Sequence, residues 1–261
     1  MRICAIQMDI VTGDREANHA TVRRMVAEAM RDAVKPDVIV LPELWSTGYA
    51  LRRARELATP MGEGDAAFLG DLAREYGVAF AGGSVLAAKA DGRVSNRAQV
   101  VEKDGRYSAG YDKIHLFRLM DEDKYLAQGD DLLWFELGGM RCASVICYDI
   151  RFCELVRKLA VGGAEALFVS AEWPIPRLEH WLVLLRARAI ENQMYVVACN
   201  RCGVTRSETF AGHSCIIAPD GTVLAQAGRE ESIICADFDP ELVRQTRSRI
   251  QVFNDRVPEL Y

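Results

Sequence analysis

Histidine is scarce: the sequence holds four, at positions 19, 115, 180 and 213. None stands in a recognisable Cys/His signature, so a protease-type pair has little to draw on. The patterns G-x-S-x-G, Walker A, G-x-G-x-x-G and H-E-x-x-H do not occur. Serine-hydrolase, P-loop, dinucleotide-binding and zincin chemistry are therefore without support. Basic residues are not in excess. Lys and Arg number 32 against 37 Asp and Glu, a net charge of -5, and they are spread along the chain, so nucleic acid is not an expected partner. No apolar window approaches the length of a transmembrane helix. The stretch from Met1 to Met8 lacks the h-region and cleavage site of a signal peptide. No membrane partner and a cytoplasmic location are the resulting expectations. No Pro/Ser-rich linker, low-complexity tract or short repeat breaks the chain, so one domain over 1–261 is expected.

What is present is an ordinary globular composition, 50% hydrophobic and 26% charged over 261 residues, enough for a sizeable core. Eight cysteines are spaced irregularly in a chain too long to need staples. Reduced thiols are the economical expectation. Cys199-Asn-Arg-Cys202 matches C-x-x-C. It follows a strand rather than opening a helix and has no second pair, so neither a metal nor a disulfide is expected there.

The hydrophobic pattern gives strands at 2–8, 38–41, 78–86, 93–102 and 106–111, with helices after Asp14 and over 65–76 in between. A second series follows: strands at 132–137 and 140–146, a helix after Cys147, a strand at 166–170 and a helix over 178–191 with Trp181, Leu182 and Leu185 inward. Strands at 195–199, 214–218, 223–227 and 232–237 and a short helix after Asp239 complete it. Residues 115–131 have no regular period and read as a loop closing over a site. Each half combines a βαβ region with antiparallel hairpins. The expectation is α/β, with a mixed sheet in each half, the sheets face to face and the helices outside.

Three residues stand just past strand ends, where α/β sheets bind ligands. Glu43 follows Val38-Ile-Val-Leu-Pro42, Lys113 follows the strand ending near Tyr111, and Cys147 follows the apolar run Ala143–Ile146. Asp149 reads as a helix N-cap, which puts Cys147 on a sharp strand-to-helix turn, next to an electropositive helix start. Together they supply a nucleophile, a base and a cation: the glutamate can take the thiol proton, and the ammonium can favour thiolate and hold an oxyanion. Taken singly, Cys147 is equally a buried small residue, Glu43 a turn cap and Lys113 a solvated charge.

Leu41-Pro-Glu-Leu-Trp-Ser-Thr-Gly-Tyr49, Asp112-Lys-Ile-His-Leu-Phe117 and Ile146-Cys-Tyr-Asp-Ile-Arg-Phe152 resemble the three catalytic blocks of the nitrilase superfamily, the carbon–nitrogen hydrolases, in the family's order. Ser170-Ala-Glu-Trp-Pro174, Arg186–Gln193 and Phe210-Ala-Gly-His-Ser214 extend the resemblance along essentially the whole chain. It implies an α-β-β-α sandwich (nitrilase-like, four layers) that pairs into a homodimer. It also implies that Glu43 is the general base, Lys113 the oxyanion cation and Cys147 the nucleophile, with Glu122 as the further glutamate in the loop after the lysine. Cys-Tyr-Asp in place of Cys-Trp-Glu favours amides over nitriles.

Phe117-Arg-Leu-Met-Asp-Glu122 and Ser170–Arg177 are most similar to bacterial ω-amidases acting on 2-oxo acid amides. The resemblance thus implies a small-molecule amide substrate, with no metal or organic cofactor. The backbone N–H of Tyr148 is the expected second oxyanion donor. A substrate carboxylate would need a cation, for which Arg151 and Arg118 are candidates. Trp45, Tyr49, Phe117 and Trp173 are candidates for an apolar wall. An N-carbamoyl hydrolase, a general aliphatic amidase and a non-catalytic protein on the same fold are the competing functions.

Overall fold

The computed structural model describes residues 1–205 and 208–260. Its first half carries β1 (Arg2–Gln7), α1 (Arg15–Ala29), β2 (Val38–Val40), α2 (Ala54–Leu57), β3 (Thr59–Pro60), α3 (Glu63–Tyr76), β4 (Ala79–Ala88), β5 (Val94–Val101), β6 (Tyr107–Asp112) and α4 (Glu122–Tyr125). The second carries β7 (Trp134–Leu137), β8 (Met140–Ile146), α5 (Cys153–Val161), β9 (Ala166–Ala171), α6 (Leu178–Asn192), β10 (Tyr195–Asn200), β11 (Cys215–Ile217), β12 (Val223–Gln226), β13 (Ser232–Asp237) and α7 (Pro240–Arg249).

One sheet runs β13-β1-β2-β4-β5-β6, with β3 beside β4, and the other runs β12-β11-β10-β9-β8-β7. Strands β1, β2 and β4 are parallel, as are β8, β9 and β10. These central strands are covered on both faces, which explains why their sequences are largely apolar rather than alternating. Ala5, Val40 and Ala81 of one sheet meet Phe135, Phe168 and Val197 of the other in a core between the sheets. On the outer faces, α1 and α3 cover the first sheet through Val22, Met25, Leu69 and Leu72. Leu155 and Val156 of α5 and Trp181 and Leu185 of α6 cover the second. The result is the α-β-β-α sandwich.

Local signals set the helix ends. The Asp14 side chain accepts the Ala17 N–H at the start of α1, and Gly77 ends α3 at φ 69°, a left-handed cap that glycine adopts without steric cost. In α6, Trp181 and Leu185 are buried as expected, whereas Leu182 is only half-buried.

Four expectations are corrected. Residues 115–131 are not irregular throughout: a 3₁₀ turn at Arg118–Met120 and α4 lie within them. Asp149 is not the N-cap of the following α-helix; it lies inside the 3₁₀ turn Cys147–Arg151, and α5 begins only at Cys153 with Phe152 as its N-cap. The Asp149 carboxylate is occupied by the N–H of Ile146, the hydroxyl of Tyr111 and the N–H of His115. Strand β13 does not stay with the second half but pairs antiparallel with β1 in the first sheet. That register puts Cys4 opposite Cys235, and the two form a disulfide, so not all eight thiols are free. Among the described residues no helix is long and apolar enough to cross a membrane.

Candidate active site

The three strand ends converge. Glu43 leaves β2 on a turn clasped by a bulge in β4 between Ala81 and Ser84. Ser84 Oγ accepts the Leu44 N–H at 2.9 Å, and the Ser84 N–H donates to the Pro42 carbonyl at 3.1 Å. Lys113 follows β6, and its N–H donates to the Asn96 carbonyl on β5 at 2.9 Å. Cys147 directly follows β8 with φ 48°, a left-handed conformation that a non-glycine residue adopts only when its surroundings enforce it. Asp149 is part of that enforcement. Its carboxylate holds Ile146 on one side of Cys147 and, through Tyr111 and His115, the segment around Lys113.

Lys113 Nζ donates to Glu43 Oε1 and to Glu122 Oε1, both at 2.7 Å. Asn96 Nδ2 donates to Glu43 Oε1 at 2.8 Å, and the N–H of Glu172 donates to Glu43 Oε2 at 2.9 Å. The Tyr49 hydroxyl bonds both carboxylates, and the Phe117 N–H donates to Glu122 Oε2 at 2.7 Å. Glu43, Lys113 and Glu122 are fully buried, and Cys147 is 6% exposed. Buried charges of this kind are expensive unless paired and hydrogen-bonded, and here each one is.

Burial pushes the Cys147 thiol well above its ordinary range, and the Glu43 carboxylate adds to the effect while Lys113 opposes it. Burial and the neighbouring Glu43 carboxylate thus favour the thiol over the thiolate. This differs from a resting thiolate, because burial outweighs the cation. Burial alone would pull Lys113 down, but Glu122 and Glu43 hold the ammonium well above its usual range. Burial raises Glu122 against the pull of Lys113. The group can thus transfer a proton from sulfur to Glu43 beside a permanent cation.

A small cavity opens in front of the sulfur, lined by Phe117, Tyr148, Arg151, Glu172, Trp173 and Arg177. Phe117, Tyr148, Arg151 and Trp173 stand there as the sequence suggests. Arg151 lies over the Trp173 ring at 4.8 Å, and Arg177 lies over Phe117 at 5.3 Å. Neither guanidinium has a carboxylate partner among the described residues; the Arg151 guanidinium hydrogen-bonds His180 Nδ1 at 3.2 Å. Tyr49 sits behind Glu43 and Glu122 rather than on the wall. Arg118 is exposed and faces a different surface depression. Trp45 is in the core under α1, beside His19 and Phe68. Arg177, Glu172 and Asn96 were not singled out from the sequence. Glu172 carries a signal that could have found it: like Glu43, it is an acid just past the end of a largely apolar strand. Among the described residues no group of His, Cys, Asp and Glu is arranged to hold a metal ion.

Residues 2–248 match the model of the carbon-nitrogen hydrolase family. The chain belongs to the carbon–nitrogen hydrolases. It is thus an enzyme that cleaves carbon–nitrogen bonds by hydrolysis. Among the relatives of this hydrolase, a 2-oxoglutaramate amidase of Bacillus subtilis is 44% identical over 259 residues, covering 99% of this chain and 98% of the relative. The human Omega-amidase NIT2 is 31% identical over 269 residues, covering 100% of this chain and 96% of the relative. Among solved structures, a CN-hydrolase superfamily protein of Xanthomonas campestris matches this carbon–nitrogen hydrolase at a TM-score of 0.90 and 28% identity, over 98% of this chain and 97% of that one. Nit3 of Saccharomyces cerevisiae matches at 0.89 and 26%, over 96% and 94%.

Proposed function

We propose that this enzyme hydrolyses the terminal carboxamide of a 2-oxo acid, 2-oxoglutaramate first, to the acid and ammonia through a thioester on Cys147. The observation that carries the reading is a pair of guanidiniums free of carboxylates, Arg151 and Arg177, on the cavity that holds Cys147. A small dicarboxylic half-amide offers one end to the sulfur and the other to those cations. The 2-oxoglutaramate amidases and ω-amidase among the relatives support the same choice.

Glu43 takes the thiol proton as the sulfur attacks the amide carbon. The oxyanion meets Lys113 Nζ, which spends two of its three N–H groups on Glu43 and Glu122 and keeps one for the substrate. The backbone N–H of Tyr148 is the second donor. Glu43 then passes its proton to the nitrogen, and ammonia leaves as the carbonyl re-forms on sulfur. A water gives its proton to Glu43 and attacks the thioester. The released thiolate recovers that proton, the product acid departs, and the site is restored. Glu122 acts on Lys113 and Tyr49 rather than on the substrate, because both its oxygens are already occupied.

The chain works as one domain over 1–261, in the cytoplasm, and pairs as a homodimer. Exposed Val161, Val183 and Ile190 on α5 and α6 support pairing through that outer face; sedimentation of the purified protein checks it, with a monomer as the contrary result. The substrate is tested by ammonia release over a panel of ω-amides. Turnover should be highest for 2-oxoglutaramate, and equal turnover of amides lacking any carboxylate would overturn the choice.

A further inference from the structure

Glu172 is a buried acid beside Cys147 that the hydrolysis above leaves unused. It follows β9 directly, and Glu43 comes three residues after the end of β2. Its N–H holds Glu43 Oε2 at 2.9 Å. Its own Oε2 accepts Arg201 Nη1 at 2.8 Å. Arg201 is itself fixed: it is fully buried, donates to Asp9 Oδ1 and to the Ile10 carbonyl at 2.8 Å each, and lies over Phe210 at 4.1 Å. Glu172 Oε1 is different. It is buried and has no hydrogen-bond partner among the described residues, yet the residue lines the cavity that holds Cys147.

A buried acceptor without a donor is rare in a folded protein and calls for an occupant. A primary carboxamide brings a donor to the right place. Its nitrogen carries two N–H groups, and only the side turned to Glu43 is accounted for by proton transfer. We propose that Glu172 Oε1 accepts an N–H of the substrate carboxamide, making Glu172 the residue that selects a primary amide over an ester of the same acid. The inference rests on the hydrolase reading above. Held from the Glu172 side, the nitrogen turns its developing lone pair toward the proton on Glu43. An ester oxygen has no hydrogen to offer, so it leaves Glu172 Oε1 unpaired against a lone pair. Sites built to hydrogen-bond a substrate group reject the analogue that lacks it for this reason. Burial pushes Glu172 up to about 7 against the pull of Arg201, and an N–H donor would favour its ionised, accepting form.

The test compares 2-oxoglutaramate with the 5-methyl ester of 2-oxoglutarate, the same acyl group on a different leaving group. Glu172→Gln can still accept from Arg201 but turns an NH2 donor toward the cavity. The ratio of kcat/KM for amide over ester should fall roughly 10- to 100-fold, the worth of one hydrogen bond to a charged group. Glu172→Asp, which keeps the charge but withdraws it from the cavity, should lower the ratio in the same direction and serves if the Gln variant does not fold. A purely structural role would lower both substrates equally, and an unchanged ratio in the folded variants overturns the inference. Failure of the unsubstituted enzyme to release ammonia from any amide would instead overturn the hydrolase reading on which it stands.

Discussion

The carboxylate of Glu122 accepts the backbone N–H of Phe117 at 2.7 Å. Its other oxygen receives Lys113 Nζ at 2.7 Å. One buried acid thus fixes both the cation of the site and the backbone that carries a wall of the cavity. Glu122→Gln must place an NH2 group against one of these two donors. We expect kcat/KM for the amide to fall about 10- to 100-fold, the loss of one charge-assisted hydrogen bond, with the circular dichroism spectrum unchanged. Unaltered kinetics would mean that Glu122 does not position Lys113.

Cys147 holds φ at 48°, where a side chain is strained and glycine is not. Replacing it by Ala keeps the strain, whereas Gly removes it. Both variants should be inactive, and Cys147→Gly should be the more stable by up to about 1 kcal/mol. Thermal unfolding of the pair checks this; an Ala variant more stable by that amount contradicts it.

Arg151→Gln and Arg177→Gln should each raise KM for 2-oxoglutaramate about tenfold or more, as the loss of a carboxylate partner demands. The substrate esterified at its far carboxylate should feel little of either change. Arg118→Gln should leave KM unaltered, because that side chain is exposed and outside the cavity. Steady-state kinetics on the two substrates separate these outcomes.

Glu172 is raised from 4.5 to about 7, by burial first and against Arg201. In the unfolded chain it ionises near 4.5, while in the fold it keeps its proton until about 7. The folded state therefore binds the extra proton in that window, and its stabilising effect, full below the lower value, is lost as pH rises through the upper one. The loss amounts to about 3 kcal/mol. The unfolding free energy of Glu172→Gln minus that of the unsubstituted enzyme should increase from pH 4.5 to 7, because only the unsubstituted enzyme loses stability in that window. A pH-independent difference would show that Glu172 titrates normally.

Much of this was legible in the sequence because strand ends carry the residues that matter. Glu43 and Cys147 stand just past the apolar stretches of the central strands β2 and β8, and Lys113 just past the edge strand β6. Asp149 misled for a physical reason: an acid after a strand reads as a helix cap, but here long-range donors from Tyr111 and His115 claim its oxygens. The Cys4–Cys235 pair was hidden by a separation of 231 residues, since local pattern carries no information about which edge strand joins which sheet. Arg177 was invisible as a site residue because only the fold turns the segment after Trp173 back over Phe117. Trp45 shows the converse: it lies in a catalytic block by sequence, but its ring points away into the core beside His19.

The central claim is that Cys147 carries the acyl group. Intact-protein and peptide mass spectrometry after rapid acid quenching of the unsubstituted enzyme, caught during turnover of the 5-methyl ester of 2-oxoglutarate, tests it most directly. Acid protonates Glu43 and stops the attack of water, so the enzyme acylated in the steady state is trapped as thioester. The account predicts one 2-oxoglutaryl group, located on the peptide containing Cys147, released by hydroxylamine and absent when Cys147 is replaced by Ala. An acyl group on another residue, or amide turnover retained by Cys147→Ala alone, would contradict it.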